Sequence, residues 1–598
     1  MDAHKTTIGD IFQSGRLLEI PYYQRAYVWG EAEWKRFADD MEMVSAKGAS
    51  PYFIGSIILK QRKTRSDEKC GDVRVVIDGQ QRLTTLVVYF KVLSLKQDVP
   101  AIFEDFMVRL SKKDKDLAIA LRHSRIDREA FERVCRMERP DHLECDEKGI
   151  VAETANKIIK LYNYFLDNVD ASGIDSDNIF SKLLFVGIDV DSNENEQQIF
   201  DTINSLGVRL TTTELLKNYF FDENNESAYR RCWEPIFEKD EECKQYWDRE
   251  IVSGSTRWHL SDLFFLAFLN IVTKGAEYKI SADDKIKFAR AESLFSSYKE
   301  FIEKYYSKVH SDGKAKFLRE VGRYAMAFRA NFNPDCRKEA VAAEFCIDRI
   351  NLMIFGQDVS TIISYVLYVL MHVESEAERN RIFGVIETYI LRRLVAKFDT
   401  RGYYQLFSET LIVKKVRTAK ALEEYLTTKD DKSTAVIPND KDLLHGIEDG
   451  LRTNRQNTTV LYMLESRLRG RGEFATKLLG FADYSLEHLM PQKWREHWKA
   501  KLTDEQAEVR NRILLTLGNL AIIPGKLNSA VSNGAWQVKL KGNAKKPGLK
   551  ENANGLLTLQ KYLQLPEWNE NTIRRRGSDL YKHMLKAWPR LSIAGKTK

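Results

Sequence analysis

The sequence predicts an α+β protein built from more than one domain. Three observations carry that reading. The chain has 598 residues, more than a single hydrophobic core ordinarily organises. Strand-like runs rich in Val, Ile and Phe, bounded by glycine and charged turns, alternate with helices over about the first 225 residues. From about 226 to 425 those runs fade, and long helical patterns with Tyr, Phe and Leu stripes replace them, with little proline to interrupt them. A polar loop, "TTKDDKSTAVIPND" at 427–440, then precedes a segment rich in Arg, Lys and Asn. The expected divisions are 1–225, a mixed domain; 226–425, a helical connecting region; and 426–598, a basic C-terminal domain.

The elements follow in order. Leu17 to Ile20 is a short apolar strand, and Glu31 to Ala46 has helical periodicity. "YFIGSIILKQR" (Tyr52 to Arg62), "VRVVI" (Val73 to Ile77) and "KLLFVGIDV" (Lys182 to Val190) read as strands. Leu83 to Leu93 reads as a helix, and "RLTTTELLKN" as a second, capped by Thr211 or Thr212 with Glu214 in its first turn. The apolar stretches near 260–272 and 361–373 are too short and too interrupted to span a bilayer, and read as buried helices.

Composition is that of a soluble globular chain, 43% hydrophobic and 30% charged. A net charge of +7 permits a nucleic-acid partner without requiring one. The seven cysteines stand apart with no C-x-x-C pair, which excludes a disulfide framework and a zinc ribbon. The opening "MDAHKTTIGDIFQSG" lacks an apolar signal core. The expectation is a cytoplasmic protein without membrane contact.

The first polar constellation is Asp78-Gly79-Gln80-Gln81-Arg82, between a strand and a helix. Taken alone it reads either as a capped helix start or as a polyphosphate site. In the second case the free N–H groups of the helix N-terminus face an anion, Gly79 admits close approach and Arg82 clamps oxygens. Asp78 would then hold a metal ion or orient a water. "IPYYQRAYVW", with Gln24 and Arg25 among aromatics, repeats the grammar and points to one convergent anion site. An arginine inside an aromatic cluster needs a partner.

These stretches, together with "IFDTINSLGVRLTTTELLKNYFF", resemble the DUF262 family, the GmrS-like domain with a ParB/sulfiredoxin-like fold. The resemblance implies nucleoside-triphosphate binding and hydrolysis with a divalent metal. It assigns Asp78, Gly79, Gln80, Gln81 and Arg82, with Gln24 and Arg25, to the nucleotide, and does not say which base is preferred.

The second constellation lies in "DYSLEHLMPQKW" and "LLTLGNLAIIPGKLNSAVSNGAWQVKL". A strand with Glu-His, a loop, a strand that begins at Asn519 and a helix with Asn at its start form the grammar of a ββα-metal (HNH-type) nuclease. Phosphodiester hydrolysis needs a base for the attacking water, which a neutral histidine supplies. Carboxylate and amide oxygens suit Mg²⁺ or Mn²⁺. His488 is thus the expected base, Glu487 and Asn528 the metal ligands, and Asn519 the residue that fixes the histidine loop. The set resembles the DUF1524 family, the GmrD-like nuclease domain, although Glu487 stands where such enzymes more often carry Asp or His. The two resemblances in one chain imply a GmrSD-type type IV restriction enzyme. Such an enzyme acts on double-stranded modified DNA, glucosylated hydroxymethylcytosine for example, in phage defence. Lys539, Lys545, Lys546, Arg574, Arg575 and Arg576 are candidate phosphate contacts. The middle segment is left open between connecting, forming a homodimer and relaying nucleotide state. The rival reading is a nucleotide-switched, ParB-like DNA-binding protein that does not cut, which would have no use for Glu487, His488, Asn519 and Asn528 in this order.

Overall fold

The structure is a computed structural model. It describes residues 2–12, 16–62, 72–104, 106–109, 117–146, 151–190, 211–221, 225–253, 256–428, 436–449, 453–470, 477–498, 502–525, 534–543 and 546–591. The protein is mixed in secondary structure and multidomain, with two compact units, Met1–Arg231 and Cys232–Lys598.

The first unit is built on a six-stranded mixed sheet. Its strands are β1 (Asp2–Thr7), β2 (Arg16–Glu19), β3 (Tyr52–Arg62), β4 (Asp72–Asp78), β5 (Leu121–Arg122) and β6 (Leu183–Val190), in the order β1-β6-β3-β4-β2-β5. β3 and β4 are antiparallel, whereas β4 runs parallel to β2. β4 therefore sits in the middle of the sheet. Val73, Val75, Val76 and Ile77 are all buried, as a strand covered on both faces requires of a near-continuous apolar run. Helices α1 (Glu31–Ser45), α2 (Gln80–Lys96) and α3 (Lys157–Asn168) supply much of the core beside it. α2 buries Leu83, Leu86, Val87, Val88, Phe90, Val92 and Leu93, more than one stripe's worth, as a helix inside a core must. α4 (Thr212–Phe220) begins at Thr211, whose hydroxyl and Glu214 form a reciprocal capping box.

The second unit is mainly helical. α5 (Leu260–Val272), α6 (Gly313–Asn331), α7 (Ile363–His372) and α8 (Glu376–Val395) come first, and the two apolar stretches of the sequence are α5 and α7, both buried. Further along are α9 (Asn454–Arg469), the antiparallel strands β7 (Tyr484–His488) and β8 (Leu520–Pro524), α10 (Trp536–Lys541) and α11 (Glu570–Ala587). α9 packs on both strands. The earlier helices and this C-terminal part share a core: Arg349 and Glu387 are fully buried and paired at 2.7 Å. Arg349 also donates to Ser466 on α9, and Trp588 donates to Glu387. The six described cysteines are free. No helix among the described residues is long and apolar enough to cross a membrane.

Candidate active sites

In the first unit the chain leaves β4 at Asp78 and enters α2 through Gly79, which has φ +98°. A side chain there would be strained, and its Cβ would stand 3.0 Å from Ile57 and 3.3 Å from the Ser56 carbonyl. Gly79 makes no side-chain cap bond, and Asp78 does not cap the helix either. Its carboxylate is 3.4 Å from the Ser56 hydroxyl and 3.8 Å from the Arg82 guanidinium, both long contacts, and it is half-exposed. A helix start without a side-chain cap leaves backbone N–H groups facing outward. Arg82 lies beside them, donating to the Ser56 carbonyl at 2.9 Å. Its guanidinium occupies the space a side chain on residue 55 would fill: a Cβ on Gly55 would be 2.7 Å from Arg82 Nε. Gly55 and Ser56 were not singled out from the sequence. The signal was a glycine inside a strand, which marks a bulge or a close approach; the register of β3 against β6 does shift between Phe53 and Gly55.

The two Gln-Arg pairs do converge here, but their amides act on the protein itself. Gln24 donates to the carbonyls of Val76 and Ile77, at 2.5 and 3.1 Å. Gln81 accepts from the Val28 amide at 2.8 Å and donates to the Ala26 carbonyl. Gln80 donates to the Arg25 carbonyl at 3.2 Å. Gln24 and Gln81 are buried. The expectation of nucleotide contacts is therefore corrected for Gln81, whose amide oxygen and nitrogen are both engaged in stitching loop 21–30 to the junction. Gln24 has the same stitching role through its nitrogen, while its buried oxygen has no partner among the described residues. Arg25 lies 3.8 Å from Glu214. Residues 199–210 of the stretch "IFDTINSLGVRLTTTELLKNYFF", Asn204 and Gly207 among them, lie outside the described residues. The uncapped amides and Arg82 stand together at the junction; Arg25 reaches it through its carbonyl, which accepts from Gln80, while its guanidinium lies beside Glu214.

In the second unit β7 carries Glu487 and His488, and β8 follows Asn519. The register sets His488 opposite Leu520 and Glu487 opposite Ala521. Asn519 is wholly buried and ends the turn before β8. Its amide nitrogen donates to the carbonyls of Met490 and Leu514, at 2.8 and 3.0 Å. Its oxygen accepts from the Met490 amide and from Trp568 Nε1, at 2.8 and 3.0 Å. The Leu489 amide donates to the Asn519 carbonyl. The two residues after His488 are thus pinned to Asn519 by three hydrogen bonds from main chain or amide. His488 Nε2 lies 3.2 Å from the Gln492 amide nitrogen; an amide nitrogen only donates, so Nε2 holds a lone pair. Burial and the nearby Lys539 charge hold the imidazole below its ordinary range, so it stays neutral.

Lys539, on α10, is fully buried. Its ammonium contacts the Glu487 carboxylate and donates to the His488 carbonyl at 2.8 Å. Burial works against the charge of both partners and their contact works for it. Lys539 is therefore corrected from a surface phosphate contact to a buried partner of Glu487. Arg576 is corrected likewise: it is fully buried and donates to the carbonyls of Leu517, Gly518, Leu520 and Thr558, holding the turn before β8. Arg574 and Arg575 are exposed. Asn528 and Lys545 lie outside the described residues, as does the side chain of Lys546. No group of three or more His, Cys, Asp or Glu placed to hold a metal occurs among the described residues. With Glu487 bound to Lys539, the described donors do not make up a cation site.

A mixed α/β protein with a phosphate-compatible strand–helix junction and a clamped, neutral histidine has the parts of a phosphoester-processing enzyme. Family comparison gives the class more closely. Residues 8–221 match the GmrSD restriction endonuclease, N-terminal domain, and residues 419–583 match the GmrSD restriction endonucleases, C-terminal domain. The two matches cover well over half of the chain, and the protein belongs to the GmrSD restriction endonucleases. It is a restriction endonuclease, and its substrate is DNA. No curated protein matches the chain.

Proposed function

We propose that this endonuclease cuts DNA carrying modified bases, such as glucosylated hydroxymethylcytosine, and that a nucleoside triphosphate hydrolysed in the first unit drives or regulates the cut. The observation that supports the cutting role best is the clamp on His488. Asn519 fixes the loop behind the imidazole, and Nε2 carries the lone pair, which accepts from the Gln492 amide until a water takes that place. In this reading a water attacks phosphorus as its proton passes to His488 Nε2. One P–O bond forms, and the bond to the leaving sugar oxygen breaks. Dependence on Mg²⁺ or Mn²⁺ is proposed from the family resemblance alone, and no step here runs through the ion.

For the first unit, the uncapped start of α2 with Arg82 supports triphosphate binding. Asp78, held only by long contacts, is the group free to orient a water. The test is cleavage of glucosylated phage DNA and of unmodified DNA of the same sequence, with and without each nucleoside triphosphate. Cutting of the modified DNA alone, stimulated by at least one triphosphate, is expected. Equal cutting of both DNAs would remove the modification dependence, and cutting indifferent to every nucleotide would remove the regulation.

A further inference from the structure

The helical part of the second unit contains an open cleft of about 320 Å³ that neither candidate site uses. α5, α6 and α7 contribute to its walls. Its floor is aromatic: Tyr278, Tyr324 and Tyr368 are buried. Two histidines stand beside them. His310 Nε2 is 3.0 Å from the Tyr278 hydroxyl, and His372 Nε2 is 3.0 Å from the Tyr324 hydroxyl. Each other ring nitrogen faces a cation. His310 Nδ1 is 3.1 Å from Lys316 Nζ, and His372 Nδ1 is 3.5 Å from the Arg417 guanidinium.

This pattern fixes where the protons are. Ammonium and guanidinium groups only donate, so both Nδ1 atoms accept and both Nε2–H groups donate to the phenols. The neutral state this requires is favoured at His372, where burial and the charges of Arg417 and Arg323 lower the pKa to about 4. Tyr368 also serves as an acceptor, from Arg417 Nε at 2.8 Å. Each phenol thus receives a hydrogen bond and keeps its own O–H proton, which has no acceptor among the described residues. The rim adds charge. Arg323 and Lys415 are exposed and have no ion-pair partner among the described residues. Five Lys and Arg line the cleft against two carboxylates, Glu277 and Glu320. Of the five, Lys274 is paired outside the lining, with Glu409 at 3.6 Å.

We infer that this cleft binds a phosphate ester, whose oxygens accept from the three tyrosine hydroxyls and from Arg323, Lys415 and Arg417. A lining that offers donors and cations suits a group with several acceptor oxygens and a negative charge. The volume admits one phosphate or pyrophosphate with part of its nucleoside, within the ordinary range of ligand cavities. That chemistry is shared by the DNA backbone and by free nucleotides.

The test reads the cleft locally in the full-length protein. Acetylation of lysines is followed by mass spectrometry with pyrophosphate, with a short unmodified duplex, and with neither. At saturation, acetylation of Lys316 and Lys415 is expected to slow roughly tenfold, the inverse of the fraction of time the site stands empty. Lys239 and Lys420, exposed and outside the cleft, are expected to react as before. Arg323→Glu alters an exposed residue, and Tyr324→Phe keeps the ring while removing one donor. Each is expected to cost about tenfold in probe affinity, a fair size for one hydrogen bond or contact to a charged group. Protection by pyrophosphate alone identifies a free nucleotide as the source, and protection by the duplex alone identifies the backbone. No protection by either probe, or equal protection in both variants, overturns the inference. Lys316 and Lys415 belong to the second unit, and repeating the measurement in Arg82→Ala separates loss of this site from loss of the β4–α2 site.

Discussion

In the proposed mechanism His488 serves as base with the help of residues that do not take part in the chemistry. Asn519 fixes its loop, and Lys539 with burial keeps it neutral. His488→Ala should therefore lower DNA cleavage by at least ~10²-fold. Triphosphate hydrolysis and the melting temperature should be kept, and a variant that cuts at the wild-type rate would remove His488 from the mechanism. Asp78 allows an equally direct decision. Had it capped α2, its loss would cost about 1 kcal/mol of stability and leave nucleotide chemistry intact. It makes no cap bond, so Asp78→Ala should leave the melt unchanged and abolish phosphate release, while Arg82→Ala should weaken nucleotide binding. Glu487 and Lys539 form the third case. Removing one partner of a buried ion pair leaves the other charge uncompensated, at a typical ~3–5 kcal/mol. Lys539→Met should destabilise the second unit by that order, and Glu487→Gln added to it should restore most of the loss. A double variant as unstable as the single one would show that the pair is not the source.

Much of the element level could be read from the sequence. The β-branched runs at Tyr52–Arg62 and Asp72–Asp78 are strands, and the Glu-His strand is β7. The partners of the polar side chains could not be read that way. An amide carries donors and an acceptor, and nothing local tells whether Gln81 serves a ligand or a loop more than fifty residues earlier in the chain. Arg576 and Lys539 were legible in principle. Arg576 falls three residues after Ile573 and four before Leu580, on the buried stripe of α11, and Lys539 follows Trp536 by three on α10. A basic run read as a patch hides that period. The element β5 leads into a residue that is expected to make the stability of the first unit depend on pH. His123 is buried, and its Nε2 lies 2.8 Å from the Thr84 hydroxyl, which itself donates to the Gln80 carbonyl in the first turn of α2. That chain of bonds holds a neutral imidazole, and burial with the Arg128 charge lowers its pKa to about 3. The folded value lies below the ordinary one, so the unfolded chain takes up the proton first. The contribution is complete above pH about 6.5 and declines as pH falls from there towards 3. Between pH 7 and 5 it should amount to about 2 kcal/mol. Unfolding free energies from denaturant titration of wild type and His123→Phe at the two pH values should differ by that much less in the variant; parallel shifts would show that His123 is not the titrating group.

At the scale of the whole molecule, the question is whether the C-terminal motif set can stand without the helices before it. The polar loop at 427–440 suggested a division there, yet buried bonds cross it. Arg349 gives Glu387 two bonds of 2.7 Å, donates to the Ala342 carbonyl, and reaches Ser466 at 2.8 Å. Trp588 Nε1 closes on Glu387 at 2.9 Å, and Arg392 donates to the carbonyls of Pro438 and Trp588. Arg349, Glu387 and Arg392 are fully buried. A fragment beginning at 426 would expose the faces of α9 and Trp588 that these residues cover, and lose every partner the network supplies. α9 is also the helix that packs on β7 and β8, so the loss reaches the strands that hold His488 and Asn519. The 426–598 fragment is expected not to fold by itself, and Glu387→Ala in the full chain should cost ~3–5 kcal/mol by stranding Arg349. Hydrogen exchange provides the measurement: in Glu387→Ala, amides of α8, α9 and β7 should lose protection together, whereas those of α2 in the first unit should not. A fragment with dispersed, protected amides, or a variant in which α8 alone loosens, would mean that the nuclease motif set is an independent domain after all.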